Sequence, residues 1–280
     1  MPAEIERIIK KLKEQKRKEG KLPQVLEFYN KLVEIQSRVG KRVSVPSPSF
    51  SNEEVEARAE EGRPLTVFSD LVLDRRLLGE TFKEVAAIFS EYPELFGEIP
   101  EQFKGSAVEQ FITQDMVKAW FEGTELPVGV ITSDDNKELI KDIIHASMKP
   151  FLASYAAVLL EMVNQEKWRR GYCPICGGNP DFGFLDKERG SRWLVCSRCD
   201  AEWLFQRLQC PYCGTTNQND LAYFTDDEGL YRLYICEQCK HYLKAIDLRQ
   251  TKSEVLVPLE RLYTLDLDKQ AQEKGYSPCE

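Results

Sequence analysis

The sequence predicts an α+β protein: an N-terminal α-helical bundle, two small tandem β modules and a helical tail. Three observations carry this. Eight of the nine cysteines form four C-x-x-C pairs between Cys173 and Cys239, and none precedes them. Apolar residues recur at helical spacing through the first part of the chain. After Arg170 short aromatic-rich stretches alternate with turn sequences, the pattern of strands. The implied domains are 1–168 (helical), 169–208 and 209–250 (the two modules) and 251–280 (the tail).

In the helical part, Ile5, Ile8, Ile9 and Leu12 share one face, which predicts a helix over Ala3–Lys18. Its other face is basic through Lys10, Lys11, Lys13, Lys16, Arg17 and Lys18, and reads first as a solvated surface and second as a dock for an acidic partner. A second helix spans Pro23–Arg38 with Val25, Leu26, Tyr29, Leu32 and Val33 inward; Pro23 suits its first turn and Gly40 its end. The run Val45–Ser51 has no period and reads as an extended loop. Further helices are expected at Glu53–Glu60, Asp74–Glu91, Ser106–Phe121 and Asp134–Trp168. In the third of these Val108, Phe111, Ile112, Met116, Ala119 and Trp120 form an apolar stripe. Pro150 should kink or divide the last, and the run Phe151–Val163 is apolar enough for the central helix of a bundle.

In the second part, strands are expected at Asp181–Leu185, Ser191–Val195, Ala201–Leu208, Asp220–Thr225, Leu230–Ile235 and His241–Leu248. Asp186–Gly190 and Asp226–Gly229 read as hairpin turns between them. From Glu254 to Gly275 helical periodicity returns, with Leu259, Leu262, Tyr263 and Leu267 as anchors.

Composition excludes several functions. Pro150–Val163 is interrupted by Ser154 and Glu161 and falls short of the roughly 20 apolar residues a bilayer span needs. The opening Met1–Glu6 lacks a basic head followed by an apolar run, so no export signal is expected. The net charge is −8 and the isoelectric point about 5.2, against the basic surface that phosphate contacts require. Even the region 169–280 holds 15 Lys and Arg against 17 Asp and Glu, so a nucleic-acid-binding zinc ribbon is disfavoured. No catalytic set appears. His145 and His241 are the only histidines, and His145 lies on a helix far from any cysteine, as a structural histidine would. Phosphate loops, dinucleotide fingerprints and H-E-x-x-H motifs are absent from the sequence.

The cysteines repeat as a unit. Cys173-Pro174-Ile175-Cys176-Gly177 corresponds to Cys210-Pro211-Tyr212-Cys213-Gly214, and Arg192-Trp193-Leu194-Val195-Cys196 to Arg232-Leu233-Tyr234-Ile235-Cys236. An aromatic-Leu step, Trp203-Leu204 and Tyr242-Leu243, follows each second pair. Two copies with four cysteines each predict two sites: Cys173, Cys176, Cys196 and Cys199 around one metal ion, and Cys210, Cys213, Cys236 and Cys239 around another. A C-x-x-C knuckle brings two thiolates to one ion at about 2.3 Å, and a glycine after it allows the positive φ that closes the turn. Gaps of 19 and 22 residues between partner knuckles each fit one hairpin, and the 10 residues between units fit one connecting strand. Disulfides would be expected of an exported chain. A thioredoxin-like motif would need one C-x-x-C opening a helix, not four flanking hairpins. All-thiolate tetrahedra suit zinc, favoured by frequency, and also rubredoxin-type iron. The modules are therefore of the zinc-ribbon or rubredoxin-like kind, and Cys279 is a bystander on a flexible tail.

These residues resemble a family. Cys173-Pro174-Ile175-Cys176-Gly177-Gly178-Asn179-Pro180, the knuckle leading to Glu202-Trp203, the two further pairs and Tyr242-Leu243-Lys244 are similar to the bacterial FdhE proteins, accessory proteins needed to form active formate dehydrogenase. Gln272–Tyr276 and the helix Leu26–Gln36 fit that family too, so the resemblance covers nearly the whole chain and is most specific after Tyr172. Asp200 and Lys240 depart from it, standing where glycine is common. The resemblance implies a cytoplasmic, non-enzymatic assembly factor with a helical domain, two rubredoxin-like modules and iron at the cysteine sites. The implied partner is the catalytic, molybdopterin-containing subunit of formate dehydrogenase, commonly one destined for twin-arginine export. Tyr212, Tyr231 and Trp203, where exposed, are candidate aromatic anchors for docking, although burial in the small module cores is the expected fate of most. The alternative, from a different class, is a rubredoxin-like electron carrier.

Overall fold

Why the apolar stripes fold where they do is clear in a computed structural model, which describes residues 2–48, 50–100, 103, 111–127 and 134–279. The chain forms two units: Met1–Pro46 with Val67–Ser154, and Ser47–Thr66 with Tyr155–Glu280.

The first unit is helical. Helix α1 (Pro2–Glu19) buries Ile8 and Leu12, and its basic face is answered in part by α2 (Gln24–Gly40): Lys13 pairs with Glu34 and Lys16 with Glu27. Helix α2 turns Leu26, Phe28, Leu32, Val33, Ile35 and Val39 inward and packs against α1 and α4 (Arg75–Ser90). The Asp74 carboxylate accepts from the Arg76 and Leu77 amides and so starts α4. A short α5 (Pro93–Phe96) follows, then α6 (Gln114–Glu122), which is opened by the Thr113 hydroxyl and buries Met116, Val117, Ala119 and Trp120. The stretch 106–110 of the helix expected there, with Val108, lies outside the described residues. Phe111 and Ile112 precede α6 and are half-buried.

Pro150 does not divide its helix. α7 runs unbroken over Asp134–Leu159 and ends there, short of Trp168. The missing proline N–H would leave the Ala146 carbonyl without its helical donor. The buried Gln36 amide of α2 donates to that carbonyl at 2.9 Å and replaces it. By length and composition Lys137–Met162 could cross a bilayer, but 67% of that window is buried inside the protein, as in a core helix. His145, half-buried, meets the Trp120 ring edge to face at 5.7 Å, the structural setting expected of it.

The second unit is built on one six-stranded sheet with order β3-β2-β1-β6-β5-β4. The strands are β1 (Pro180–Leu185), β2 (Arg192–Cys196), β3 (Glu202–Phe205), β4 (Leu221–Thr225), β5 (Tyr231–Cys236) and β6 (Tyr242–Asp247). Each repeat makes an antiparallel three-stranded half. The halves join through parallel pairing of β1 with β6, from Phe182↔Lys244 to Leu185↔Asp247. The two modules thus share a sheet, laid side by side in the same orientation. Asp186 holds the first hairpin turn by accepting from the Arg189, Gly190 and Ser191 amides, and Asp226 accepts from Tyr231 in the second.

Strand register corrects one detail of the repeat. Trp203 pairs with Leu194 and Leu243 with Tyr234, so Glu202-Trp203-Leu204 matches Tyr242-Leu243-Lys244 and the aromatic-Leu step is offset by one. Three outer elements cover the sheet unit: α3 (Asn52–Glu61), α8 (Val257–Tyr263) and α9 (Leu265–Glu273). Leu267 and Ala271 of α9, with Tyr276, pack on Leu233, Ile235 and Tyr242. The Lys244 ammonium is buried and donates to the Arg261 carbonyl at 3.0 Å, at the C-terminal end of α8, and to the Asp268 carboxylate in α9.

Candidate metal centres

Four knuckles follow one backbone pattern. The amides of Cys173, Cys196, Cys210 and Cys236 donate to the carbonyls of Gly178, Ala201, Thr215 and His241 at 2.9–3.0 Å. Those of Gly177, Asp200, Gly214 and Lys240 return to the carbonyls of the four cysteines. The residue closing each knuckle is left-handed, with φ of 72°, 57°, 75° and 59° in that order. Asp200 and Lys240 therefore adopt the turn where glycine is usual, at a cost of roughly 1–2 kcal/mol each. Local contacts offset it. Arg261 donates to the Asp200 carboxylate and, at 3.0 Å, to the Cys196 carbonyl. The Lys240 carbonyl accepts from Ser277 at 2.8 Å, and its ammonium pairs with Glu237.

The knuckles gather the sulfurs as the sequence predicts, Cys173, Cys176, Cys196 and Cys199 in one group and Cys210, Cys213, Cys236 and Cys239 in another. Within the first, Sγ–Sγ distances are 3.6 Å (Cys173–Cys199), 3.5 Å (Cys176–Cys196) and 3.6 Å (Cys176–Cys199). The second gives 3.7 Å for Cys210–Cys239 and 3.6 Å for Cys213–Cys236. A disulfide would need about 2.05 Å. An ideal tetrahedron with four bonds of about 2.3 Å has edges near 3.8 Å, so both groups fit an S₄ metal site. None of the nine cysteines is in a disulfide, and Cys279 belongs to neither group. The tail carrying it is tied down, since the Ser277 carbonyl accepts from the Tyr242 amide at 3.2 Å.

Electrostatics agree with a cation. The Ile175 and Arg198 amides point at the Cys173 and Cys196 sulfurs, each at 3.4 Å. Burial pushes the Cys173 and Cys199 thiols well up, while hydrogen bonds from the other three sulfurs draw Cys176 well down. In the second group burial raises Cys210, and Cys239 to about 11; at Cys213 burial is outweighed by the Thr215 amide and neighbouring sulfurs, which lower it. Four thiolates in so small a buried volume repel one another, and a central cation lets all four ionise together.

The groups differ in cover. All four cysteines of the first are buried, whereas Cys213 is exposed and Cys239 half-exposed. Residues 62–66 account for much of the difference. The Leu65 and Thr66 amides donate to the Pro174 and Ile175 carbonyls at 2.8 and 2.9 Å, laying a backbone segment along the first knuckle. The Tyr172 hydroxyl donates to the Gly62 carbonyl at 2.7 Å, beside it. Between the groups Arg192 is buried, its guanidinium donating to the Gln206 and Gln209 carbonyls and lying against the Phe205 and Tyr234 rings. Burial lowers it to about 10.

The sequence reading missed Arg192, Arg261 and Lys244 as supports, although Arg192 and Lys244 stand inside its motifs. None of the three candidate aromatic anchors is exposed, the fate expected of most of them. Trp203 is fully buried and donates to the Arg170 carbonyl at 2.9 Å. Tyr212 is bonded to the Pro180 and Tyr242 carbonyls, and Tyr231 to Glu260. Tyr223 and Phe224 are the exposed rings of the sheet unit.

Residues 172–207 match the family model "FdhE, central domain", a span that holds the whole first cysteine group. A "Protein FdhE homolog" from Aquifex aeolicus is 28% identical over 264 residues, 92% of this chain and 87% of that one. Another from Shewanella oneidensis is 32% identical over 137 residues, 48% and 45% of the two chains. The crystal structure of the FdhE protein from Pseudomonas aeruginosa has the same fold, with a TM-score of 0.59 at 20% identity, over 99% of this chain and 92% of that one. The FdhE resemblance read from the knuckles is shown by these matches.

Proposed function

We propose that the protein is an accessory factor in formate dehydrogenase maturation, docking on the catalytic subunit in the cytoplasm without catalysing a reaction itself. Each cysteine group holds one ion in this reading: Cys173, Cys176, Cys196 and Cys199 the first, Cys210, Cys213, Cys236 and Cys239 the second. The observation that carries it is the pair of S₄ groups in one sheet, in a chain similar to FdhE proteins over most of its length. When bound, zinc or iron supplies a cross-link between the two knuckles of a module. The chain's own residues do the rest. Backbone amides point at the sulfurs, Arg261 holds the first group's outer knuckle and the Ser277 segment holds the second's. What results is a stiff β surface on which a partner can rest. A net charge of −8 supports a protein partner over nucleic acid.

The test is anaerobic purification with metal analysis, followed by capture of the catalytic subunit from an extract that contains it. Two ions per chain and specific capture are expected. Absence of bound metal, or no capture by the fully loaded chain, overturns the proposal. A second reading, one-electron transfer through rubredoxin-type iron, is favoured by one observation, the exposure of Cys213. It requires a thiolate-to-iron absorption band that bleaches on reduction and returns on oxidation; a colourless protein with two zinc ions ends it.

A further inference from the structure

Strand β4 forms one edge of the sheet, and its outer side is open. In its register with β5, Asp220 accepts from the Glu237 amide at 2.8 Å, and the Asp226 amide donates to the Tyr231 carbonyl at 3.4 Å. Alternation along an antiparallel pair then turns the Ala222 and Phe224 amides toward β5, and those of Tyr223 and Thr225 outward. Among the described residues no strand pairs with that outer side. Ala222, Tyr223, Phe224 and Thr225 are all exposed, Tyr223 by 52% and Phe224 by 46%. Free edges are commonly blunted by lysine, proline or a bulge. Leu221-Ala222-Tyr223-Phe224-Thr225 has none of these and pairs with β5 without a slip.

The fold contains its own example of what such an edge accepts. Phe182–Leu185 of β1 stand in the first module where Ala222–Thr225 stand in the second, both counted back from the pairing with Val195 and Ile235. The outer side of β1 is filled by β6, running parallel. Side-by-side modules leave complementary outer edges, so a second copy could in principle supply β3 to β4. That edge is engaged, however: the Leu204 amide of β3 donates to the Gln165 side chain at 3.1 Å. Charge selects among other occupants. Asp220 lies at the start of β4, and Asp226, Asp227 and Glu228 at its end. The nearby cations, Arg232 and Lys274, lie against the Tyr223 and Phe224 rings rather than beyond the strand ends.

We propose that Tyr223–Thr225 of β4 takes an extended segment of the partner protein as an added parallel strand, with basic residues at the segment's two ends. The proposal deepens the assembly reading by naming the contact, and rests on it only for the partner's identity.

The test uses the metal-loaded full chain and two probes. One is a short peptide of alternating valine and threonine with arginine at one end and lysine at the other; the second is the catalytic subunit. The basic peptide should slow amide exchange at Tyr223 and Thr225 by at least about tenfold at saturation, with little change at Ala222 and Phe224. A peptide with glutamate at both ends should bind at least about tenfold more weakly. Thr225→Pro removes an outward amide without touching the β4–β5 ladder and should abolish the effect. Thr225→Lys serves if the proline variant loses its metal. Exchange unchanged by the basic peptide, or slowing that survives both variants, overturns the proposal. So does slowing that depends on protein concentration without peptide, which assigns the edge to a second copy. Capture of the subunit by wild type and variants alike refutes the edge and leaves the assembly reading. A peptide effect without subunit capture does the reverse.

Discussion

The two cysteine groups have the same knuckles and different surroundings. Around the first, residues 62–66 add backbone hydrogen bonds to the Pro174 and Ile175 carbonyls, Arg261 clamps Asp200 and the Cys196 carbonyl, and all four sulfurs are buried. Around the second, Ser277 and Tyr276 hold the outer knuckle and the Tyr212 hydroxyl ties the first to the Pro180 and Tyr242 carbonyls, yet Cys213 faces solvent. The coordination motif sets the geometry in both, while segments distant in sequence set the access. The first group reads as a fixed element of the fold. On the proposed occupancy the second is the one from which an ion would be exchanged more readily.

The largest effect should come from breaking the groups separately. On the proposed occupancy, Cys196→Ser removes a ligand from the closed group and should cost on the order of 10 kcal/mol, unfolding the sheet unit. On that occupancy Cys213→Ser should lower the metal content by one ion and leave most of the sheet folded, since β6 keeps its pairing with β1 and β5 its pairing with β6. Far-ultraviolet circular dichroism with metal analysis separates the cases, and equal collapse of both variants would erase the distinction. In wild type, a chelator should strip the second ion at least about tenfold faster, following its exposure.

A smaller effect tests the joint between the modules. A side chain at Gly171 would place its Cβ 1.8 Å from the Pro211 carbonyl oxygen, so the Tyr172 segment and the second module's first knuckle meet backbone to backbone. Gly171→Ala should cost about 3 kcal/mol through forced displacement, seen as a lower urea midpoint. A midpoint within error of wild type would show that the joint yields freely.

The smallest effect is acid-dependent and confined to the second module. Burial alone would raise the Asp247 carboxyl. Three Arg249 hydrogen bonds and the Arg232 guanidinium at 2.7 Å more than offset it and hold the carboxyl at about 2. The folded value lies below the ordinary one, so the contribution is fully present above about pH 4 and is lost as pH falls toward 2. At neutral pH it is about 2 kcal/mol. The urea-midpoint difference between wild type and Asp247→Asn should therefore be largest near pH 7 and narrow below pH 4. Proton competition for the thiolates acts on both proteins and cancels in that difference; a gap independent of pH would refute the assignment.

The parts legible in the sequence are those whose cause is local. C-x-x-C spacing determines the knuckles, the repeat determines which knuckles pair, and Asp186 and Asp226 mark the turns. Helical periodicity gave α2 and α4 nearly to the residue. Contacts between distant segments were not legible. Nothing near Pro150 indicates that Gln36 supplies the donor it removes. The Leu65 and Thr66 amides that cover the first knuckle act through the backbone, which carries no side-chain signature. Aromatic content suggested docking anchors, but Trp203, Tyr212 and Tyr231 each have a polar atom bonded inside the protein. Tyr223 and Phe224 were distinguishable in principle, because Leu221–Thr225 lacks the alternation of a strand with one buried face.

Lys244, Arg261 and the Tyr276–Ser277 segment also impose an order of events. All eight sulfurs are translated before α8, α9 and the residues after them. A nascent chain can therefore capture its ions while the outer knuckles are still unsupported, and it loses that freedom once the later helices dock. On the proposed occupancy the closed first group is loaded most easily during synthesis, and a mature chain stripped of that ion must undo its own closure to be refilled.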